Sequence, residues 1–167
     1  IGTVLADNPQ LNARAPIAAH PSLVRVVCDR HLRLPLSSSL VKTANHQPTW
    51  VITGAEAVER AASHATELRE AGVKFLVVED TTLAPRTILA ALAGEGITRA
   101  FIEAGPHLSG AFLATQMVET LHWYRAPMLL GNAGKSPIDA LHSTLANVAR
   151  AHTRTLGDDT YERYELH

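Results

Sequence analysis

The chain has 167 residues, 46% hydrophobic and 19% charged, a balance typical of a packed globular domain and not of a disordered chain. Fifteen Lys and Arg against sixteen Asp and Glu give a net charge of −1, which argues against a nucleic-acid-binding protein. No apolar run approaches the roughly 20 residues of a membrane helix, and the single cysteine, Cys28, excludes an internal disulfide and a multi-thiolate metal site.

These values predict a cytoplasmic protein without nucleic acid or membrane as a partner. We expect one domain over residues 1–167. Because the first residue is Ile1 and not Met, we expect this domain to be incomplete at its N-terminus.

The first two thirds of the chain alternate β-rich runs with helical patterns. Short runs rich in β-branched residues predict four strands, over residues 23–28, 49–53, 73–78 and 99–103. Apolar residues at helical spacing predict three helices: over 55–71, from Pro85 to the glycines at 94 and 96, and over 106–116.

After residue 118 the pattern becomes one of consecutive strands. A long strand is predicted over 120–130, and two more, over 146–156 and 160–166, are joined by a hairpin turn at Gly157-Asp158-Asp159. Strand–helix alternation followed by antiparallel strands predicts an α/β fold with a mixed, mostly parallel sheet and helices on its faces.

The strongest local signal for a ligand site is the stretch from Phe101 to Ala111, FIEAGPHLSGA. An apolar run ends in Glu103, turns at Gly105 and enters a helix that begins with Pro106. A helix start binds anions through its N–H groups and positive dipole end, and a glycine lets the backbone approach a diphosphate closely. The same pattern fits a plain strand–turn–helix connection with Glu103 as a cap. By itself it indicates a binding site without naming the ligand.

Other motifs predict no chemistry. The GNAGKS stretch at 131–136 resembles the end of a phosphate-binding loop, but that pattern requires a glycine where Leu129 stands, so we expect a surface loop. None of the nine histidines stands at the i, i+4 spacing of a helical zinc pair, so we expect no metal site. Gly94-Glu95-Gly96 lacks the third glycine of a dinucleotide fingerprint, and no serine lies in a nucleophile elbow.

Four segments of the chain, taken in order, match one known family. They are TVLADNPQL with Arg14, VRVVCD with LRLP, EAGPHLSGAF, and AP with LLG, and they run from Thr3 to Gly131. Together they resemble the reductase domain of the bifunctional riboflavin-biosynthesis deaminase/reductase. No zinc-deaminase motif occurs in the chain, so a deaminase half would lie upstream.

The resemblance implies a dihydrofolate-reductase-like three-layer fold, with NADPH as the hydride donor. The implied substrate is 5-amino-6-(5-phosphoribosylamino)uracil, whose ribosyl group is reduced to ribityl. The resemblance assigns cofactor contacts to Thr3, Asp7, Gly105, Pro106, His107, Leu108, Ser109, Gly110 and Ala111. Arg30, where the chain departs from the family, is a further candidate cofactor contact. The resemblance assigns substrate contacts to Leu11, Arg14 and Glu103. Arg14 suits the substrate phosphate and Glu103 a substrate amine or hydroxyl, and no residue is assigned as acid or base.

The chain departs from the family pattern at several positions. Asn8 replaces a usual aspartate, His107 a usual threonine, and Met128 a frequent lysine. Arg30 stands where many members have serine, and it either pairs with the 2′-phosphate of NADPH or is a solvated loop arginine.

Two alternative functions stay open from the sequence. The first is a related reductase of another pyrimidine- or pterin-like substrate, which would not need Arg14 if that substrate lacked a phosphate. The second is a non-catalytic domain for dinucleotide binding or dimerisation. The last strand pair, near His167, offers an edge for pairing, so we expect a homodimer.

Overall fold

The computed structural model describes residues 1–13, 23–80, 82–129 and 150–166. The chain divides into two compact units, residues 1–100 and 101–167, and each unit has its own sheet.

The first unit contains a parallel sheet. Its strands are β1 (Arg25–Cys28), β2 (Thr49–Gly54) and β3 (Val73–Val78), in that spatial order. Val27 pairs with Val51, and Val51 with Phe75, so apolar side chains form rows across the strands. The three strands predicted from β-branched runs are confirmed, because a parallel sheet buries such runs on both faces.

The described residues of this first unit form five helices: α1 (Gly2–Asp7), α2 (Ser39–Lys42), α3 (Ala55–Arg60), α4 (Ala62–Glu70) and α5 (Pro85–Gly94). The main core joins Val27, Val51 and Val73 of the sheet to Leu40 of α2 and Leu68 of α4. Leu40, Val51 and Leu68 are completely buried, and burying a side chain of this size stabilises the fold by about 1.5–3 kcal/mol.

The helix predicted over 55–71 is kinked at Ala61, where φ is −114° and ψ is 42°. The hydrogen bonds from Ala61 N to Ala57 O and from Ala65 N to Ala61 O continue through the kink. Helix α5 begins at Pro85 and ends at Gly94, as predicted.

The described residues of the second unit form an antiparallel sheet and one helix. Helix α6 spans Pro106–Ala114, and the strands are β4 (Thr120–Arg125), β5 (Arg150–Leu156) and β6 (Asp159–Glu165), in the order β4-β6-β5. The predicted hairpin between the last two strands is confirmed, with Gly157 at a φ of 63° in the turn. That φ favours glycine.

The strand predicted over 99–103 is not formed, and this prediction is wrong. The backbone of 97–105 is neither helix nor strand, and Phe101 is 70% exposed. An apolar β-branched run becomes a strand only beside another strand that completes its hydrogen bonds, and no strand among the described residues pairs with it.

Within the described residues, every helix is too short or too polar to cross a membrane.

Candidate functional site

Helix α1 carries two of the predicted cofactor residues, half-buried Thr3 and exposed Asp7. The backbone nitrogen of Ile1 donates to the carbonyl of Cys28 at 2.9 Å, which ties the start of α1 to the last residue of β1. Arg30 follows two residues later. The first unit thus places α1 and Arg30 at the carboxyl end of a parallel strand, the usual ligand-binding edge of α/β sheets.

Asn8 ends α1 in a left-handed conformation, with φ 43° and ψ 53°. Its backbone N–H donates to Val4 O at 3.1 Å, and its side-chain Oδ1 accepts from Ser39 N, at the start of α2, at 2.7 Å. Among residues with a side chain, Asn and Asp tolerate this conformation best. An aspartate at this position could adopt the same conformation and offer the same acceptor oxygen.

Replacing Asn8 by alanine is expected to destabilise the fold by about 2 kcal/mol. Alanine has a cost of about 1 kcal/mol in the left-handed conformation and leaves Ser39 N without its acceptor. Urea unfolding of Asn8→Ala and Asn8→Asp measures this. The aspartate variant should stay close to the parent chain, and equal losses in both would contradict this assignment.

Leu11 follows with a φ of 47°, and its half-buried side chain packs against the core of the first unit. The neighbouring carbonyl of Gln10 accepts a hydrogen bond from Arg25 Nη1 at 3.3 Å. Arg14, the predicted phosphate contact, lies outside the described residues.

Asp29 organises the loop that presents Arg30. Its carboxylate is completely buried, and Oδ2 accepts the backbone N–H groups of Arg33 at 2.6 Å and Leu34 at 2.8 Å. Leu32 is also buried, with a φ of 52°. The loop is therefore held at its base while Arg30 and Arg33 extend into solvent. Within the described part of the chain, Arg30 makes no hydrogen bond or ion pair, so its donors are available to a phosphate.

The start of α6 is open in the way a phosphate group requires. Gly105 precedes the helix with φ −70° and ψ 174°, and no side chain caps the helix. A Cβ atom built on Gly105 would meet no atom of the described residues within 4 Å. The backbone conformation of residue 105 therefore does not require glycine, and no described neighbour requires it either. Close approach of a diphosphate to the backbone would require glycine. The residues of this turn fit a dinucleotide.

The first turn of α6 is held to the preceding loop from within. Ser109 N donates to Gly105 O at 3.1 Å, and Ser109 Oγ donates to Ala104 O at 3.0 Å. Glu103, His107 and Ala111 are exposed, and the other predicted residues of this segment, Pro106, Leu108, Ser109 and Gly110, are half-buried. The helix is anchored by Phe112 and Leu113, which are buried.

The predicted site residues form two groups, one in each unit. Thr3, Asp7, Leu11 and Arg30 belong to residues 1–100, and the segment from Glu103 to Ala111 belongs to residues 101–167. The GNAGKS stretch and the family match at Leu130 and Gly131 lie outside the described residues.

Two supporting residues were missed in the sequence analysis, Arg25 and Asp29. Both are buried, and both hold the backbone of segments that carry predicted contacts. The available signal was a charged residue inside an apolar strand run and another directly at its end, since such residues are rarely buried without partners.

Comparison with known proteins identifies the class. The family model described as RibD C-terminal domain matches residues 1–161. The RibD riboflavin biosynthesis protein of Bacillus amyloliquefaciens is 35% identical over 130 residues, covering 78% of this chain and 34% of that protein. A 5-amino-6-(5-phosphoribosylamino)uracil reductase of Buchnera aphidicola is 27% identical over 146 residues, covering 80% of this chain and 66% of that one.

The structure of Acinetobacter baumannii RibD superposes with a TM-score of 0.76 at 26% identity, over 99% of this chain and 45% of that one. The fold is thus that of the dihydrofolate-reductase-like reductase domains. The chain belongs to the RibD C-terminal domain family, which confirms the resemblance drawn from the four segments. It spans about a third of the length of the RibD relative from Bacillus.

Proposed function

We propose that the chain reduces the ribosyl group of 5-amino-6-(5-phosphoribosylamino)uracil to ribityl, with NADPH as the reductant, in riboflavin biosynthesis. The observation that carries this proposal is the family match over residues 1–161, together with the similarity to the uracil reductase of Buchnera. The uncapped, open helix start at Gly105 supports a dinucleotide as the cofactor.

In this proposal the first turn of α6, from Gly105 to Ala111, binds the cofactor diphosphate. The proposal also assigns cofactor contacts to Thr3 and Asp7 of α1, and Arg30 pairs with the 2′-phosphate. When bound, NADPH supplies the hydride, which the protein itself cannot provide.

The substrate contacts in this proposal are Leu11, Arg14 and Glu103. Arg14 offers paired N–H donors to the ribose phosphate, and Glu103 accepts from a substrate amine or hydroxyl. Because the reducing equivalent comes from the cofactor, the main work of these residues is to hold the substrate in a reactive orientation and to exclude water. No side chain is assigned as acid or base.

We further propose a single reductase domain that works as a homodimer in the cytoplasm. The outer edge of β5, which pairs only with β6 among the described strands, supports the pairing edge expected from the sequence. The lone cysteine, Cys28, supports a reducing compartment.

The proposal is tested by calorimetric titration of the full-length gene product with NADPH and NADH. NADPH is expected to bind at least tenfold more tightly, a difference of about 1.4 kcal/mol. If neither nucleotide binds, the helix start at Gly105 is only a structural turn, and a non-catalytic domain becomes the better account.

Replacing Arg30 by alanine is expected to weaken NADPH binding about tenfold and to leave NADH binding unchanged, because only NADPH carries the 2′-phosphate. The same titration with Arg60→Ala, an exposed arginine at the end of α3, is the control and should match the parent chain. Equal affinity losses for both nucleotides would show that Arg30 does not recognise this phosphate.

A further inference from the structure

Arg25 is a buried arginine without a carboxylate partner among the described residues. It lies in β1 with 3% of its surface exposed. Its Nη1 donates to Thr43 Oγ1 at 2.7 Å and to Gln10 O at 3.3 Å. Burying a charged guanidinium is costly unless hydrogen-bond acceptors surround it. Packing alone therefore does not explain why an arginine stands at this position.

The other terminal nitrogen of the guanidinium, Nη2, donates to three further acceptors. Nη2 donates to Thr49 Oγ1 at 2.6 Å, to Gln47 O at 2.8 Å and to Leu40 O at 3.1 Å. These three atoms belong to the start of β2, the loop before it and the helix α2. Nη2 therefore fixes the guanidinium rigidly in the first unit, and Nη1 extends from that fixed base to Gln10.

The segment held by Nη1 has an unfavourable backbone. Asn8 has a φ of 43° and Leu11 a φ of 47°, so left-handed residues stand on both sides of Gln10. Such conformations persist only where surrounding contacts enforce them, and they concentrate at functional sites. The enforcing contacts here are Asn8 Oδ1 with Ser39 N, the packing of Leu11 on the core, and Arg25 with the Gln10 carbonyl.

We infer that Arg25 is a positioning residue for the substrate segment, residues 8–13. Its guanidinium holds the Gln10 carbonyl and thereby keeps the backbone of Leu11 in the conformation that substrate binding requires. The inference rests on the proposed function, in which Leu11 contacts the substrate. We expect NADPH binding to change little without Arg25, because the start of α1 and the start of α6 are held by other hydrogen bonds.

The test compares Arg25→Lys with Thr43→Val in the full-length gene product. The lysine variant keeps a buried cation. It loses the planar guanidinium, which bonds Gln10 O through Nη1 while Nη2 bonds Leu40, Gln47 and Thr49. The valine variant removes one bond of Nη1, together with the bond from Thr43 Oγ1 to Ser39 O, and leaves the Gln10 bond in place. Both variants weaken the same hydrogen-bond cluster, so Thr43→Val controls for loss of stability.

For Arg25→Lys we expect KM for 5-amino-6-(5-phosphoribosylamino)uracil to rise at least tenfold, with kcat and the Kd for NADPH changed less than threefold. Thr43→Val should leave KM within twofold of the parent value. Arg25→Met, measured in the same way, should raise KM at least as far as the lysine variant.

A residue with only a structural role would lower Tm and the amount of folded protein without moving KM. Equal KM values in Arg25→Lys and Thr43→Val would therefore overturn the positioning role while leaving the proposed function intact. Absence of turnover in the parent protein would instead overturn the proposed function, and the inference with it. An Arg25→Lys protein that binds NADPH more than tenfold less tightly would also overturn the inference, since the effect would not be confined to the substrate segment.

Discussion

Replacing Gly105 by valine is expected to lower the affinity for NADPH more than 100-fold, a loss of about 2.7 kcal/mol, without unfolding the chain. The residue has a φ of −70° and a ψ of 174°, which valine adopts without strain and which suits a residue before proline. In the part of the chain that the structure describes, no atom lies within 4 Å of the new Cβ, so stability should change by less than about 1 kcal/mol. Loss of binding would then come only from blocking the approach of the diphosphate to the helix start.

Calorimetry and urea unfolding on the same sample measure both quantities. Gly94→Val is the matched control. Gly94 is the last residue of α5, a Cβ added there would also meet no described atom within 4 Å, and no ligand contact is predicted at this position. This variant should bind NADPH as the parent chain does. Affinity of Gly105→Val within threefold of the parent value would remove the start of α6 from the cofactor site.

Replacing Asp29 by alanine is expected to destabilise the fold by about 3 kcal/mol. The substitution leaves the N–H groups of Arg33 and Leu34 without their acceptor, and the N–H of Leu34 is completely buried with its residue. Each unpartnered buried donor costs about 1–3 kcal/mol. The released loop should also bind the 2′-phosphate less well, so selectivity for NADPH over NADH should fall.

Asp29→Asn separates the hydrogen bonds from the charge. The amide oxygen can accept from the same two N–H groups, and its NH2 would lie at the position of Oδ1, which has no hydrogen-bond partner among the described residues. We expect a loss of about 1 kcal/mol for this variant. A midpoint of urea unfolding that is the same for Asp29→Ala and the parent chain would show that the loop does not depend on this carboxylate.

The elements predictable from the sequence are those whose signal is local. The β-branched runs of β1, β2 and β3 indicate strands that are buried on both faces, and Pro85 and Gly94 mark the ends of α5. The Gly157 turn marks the last hairpin in the same way. In each case the residue types themselves restrict the backbone conformation.

The elements missed depend on neighbours or on weak signals. The run at 99–103 has strand composition but no pairing strand among the described residues, and the kink at Ala61 falls on the residue with the highest helix propensity. The four-residue helix α2 is too short to show a periodic pattern.

The candidate site follows the same division. Gly105 before α6 and Pro106 at its first position indicate an anion-binding helix start from the sequence, and the resemblance of the four segments implies which ligand binds there. The support beneath the site was not predictable, because the hydrogen bonds of Arg25 and Asp29 join residues 4 to 24 positions apart. Such contacts exist only once the chain has folded.

The most direct test of the reductase assignment is turnover of 5-amino-6-(5-phosphoribosylamino)uracil by the full-length gene product with NADPH, with the product identified by mass spectrometry. The account predicts one NADPH oxidised for each substrate consumed, and a product heavier by two hydrogens in which the sugar is ribityl phosphate. NADPH that binds without being oxidised in the presence of this substrate would contradict the assignment.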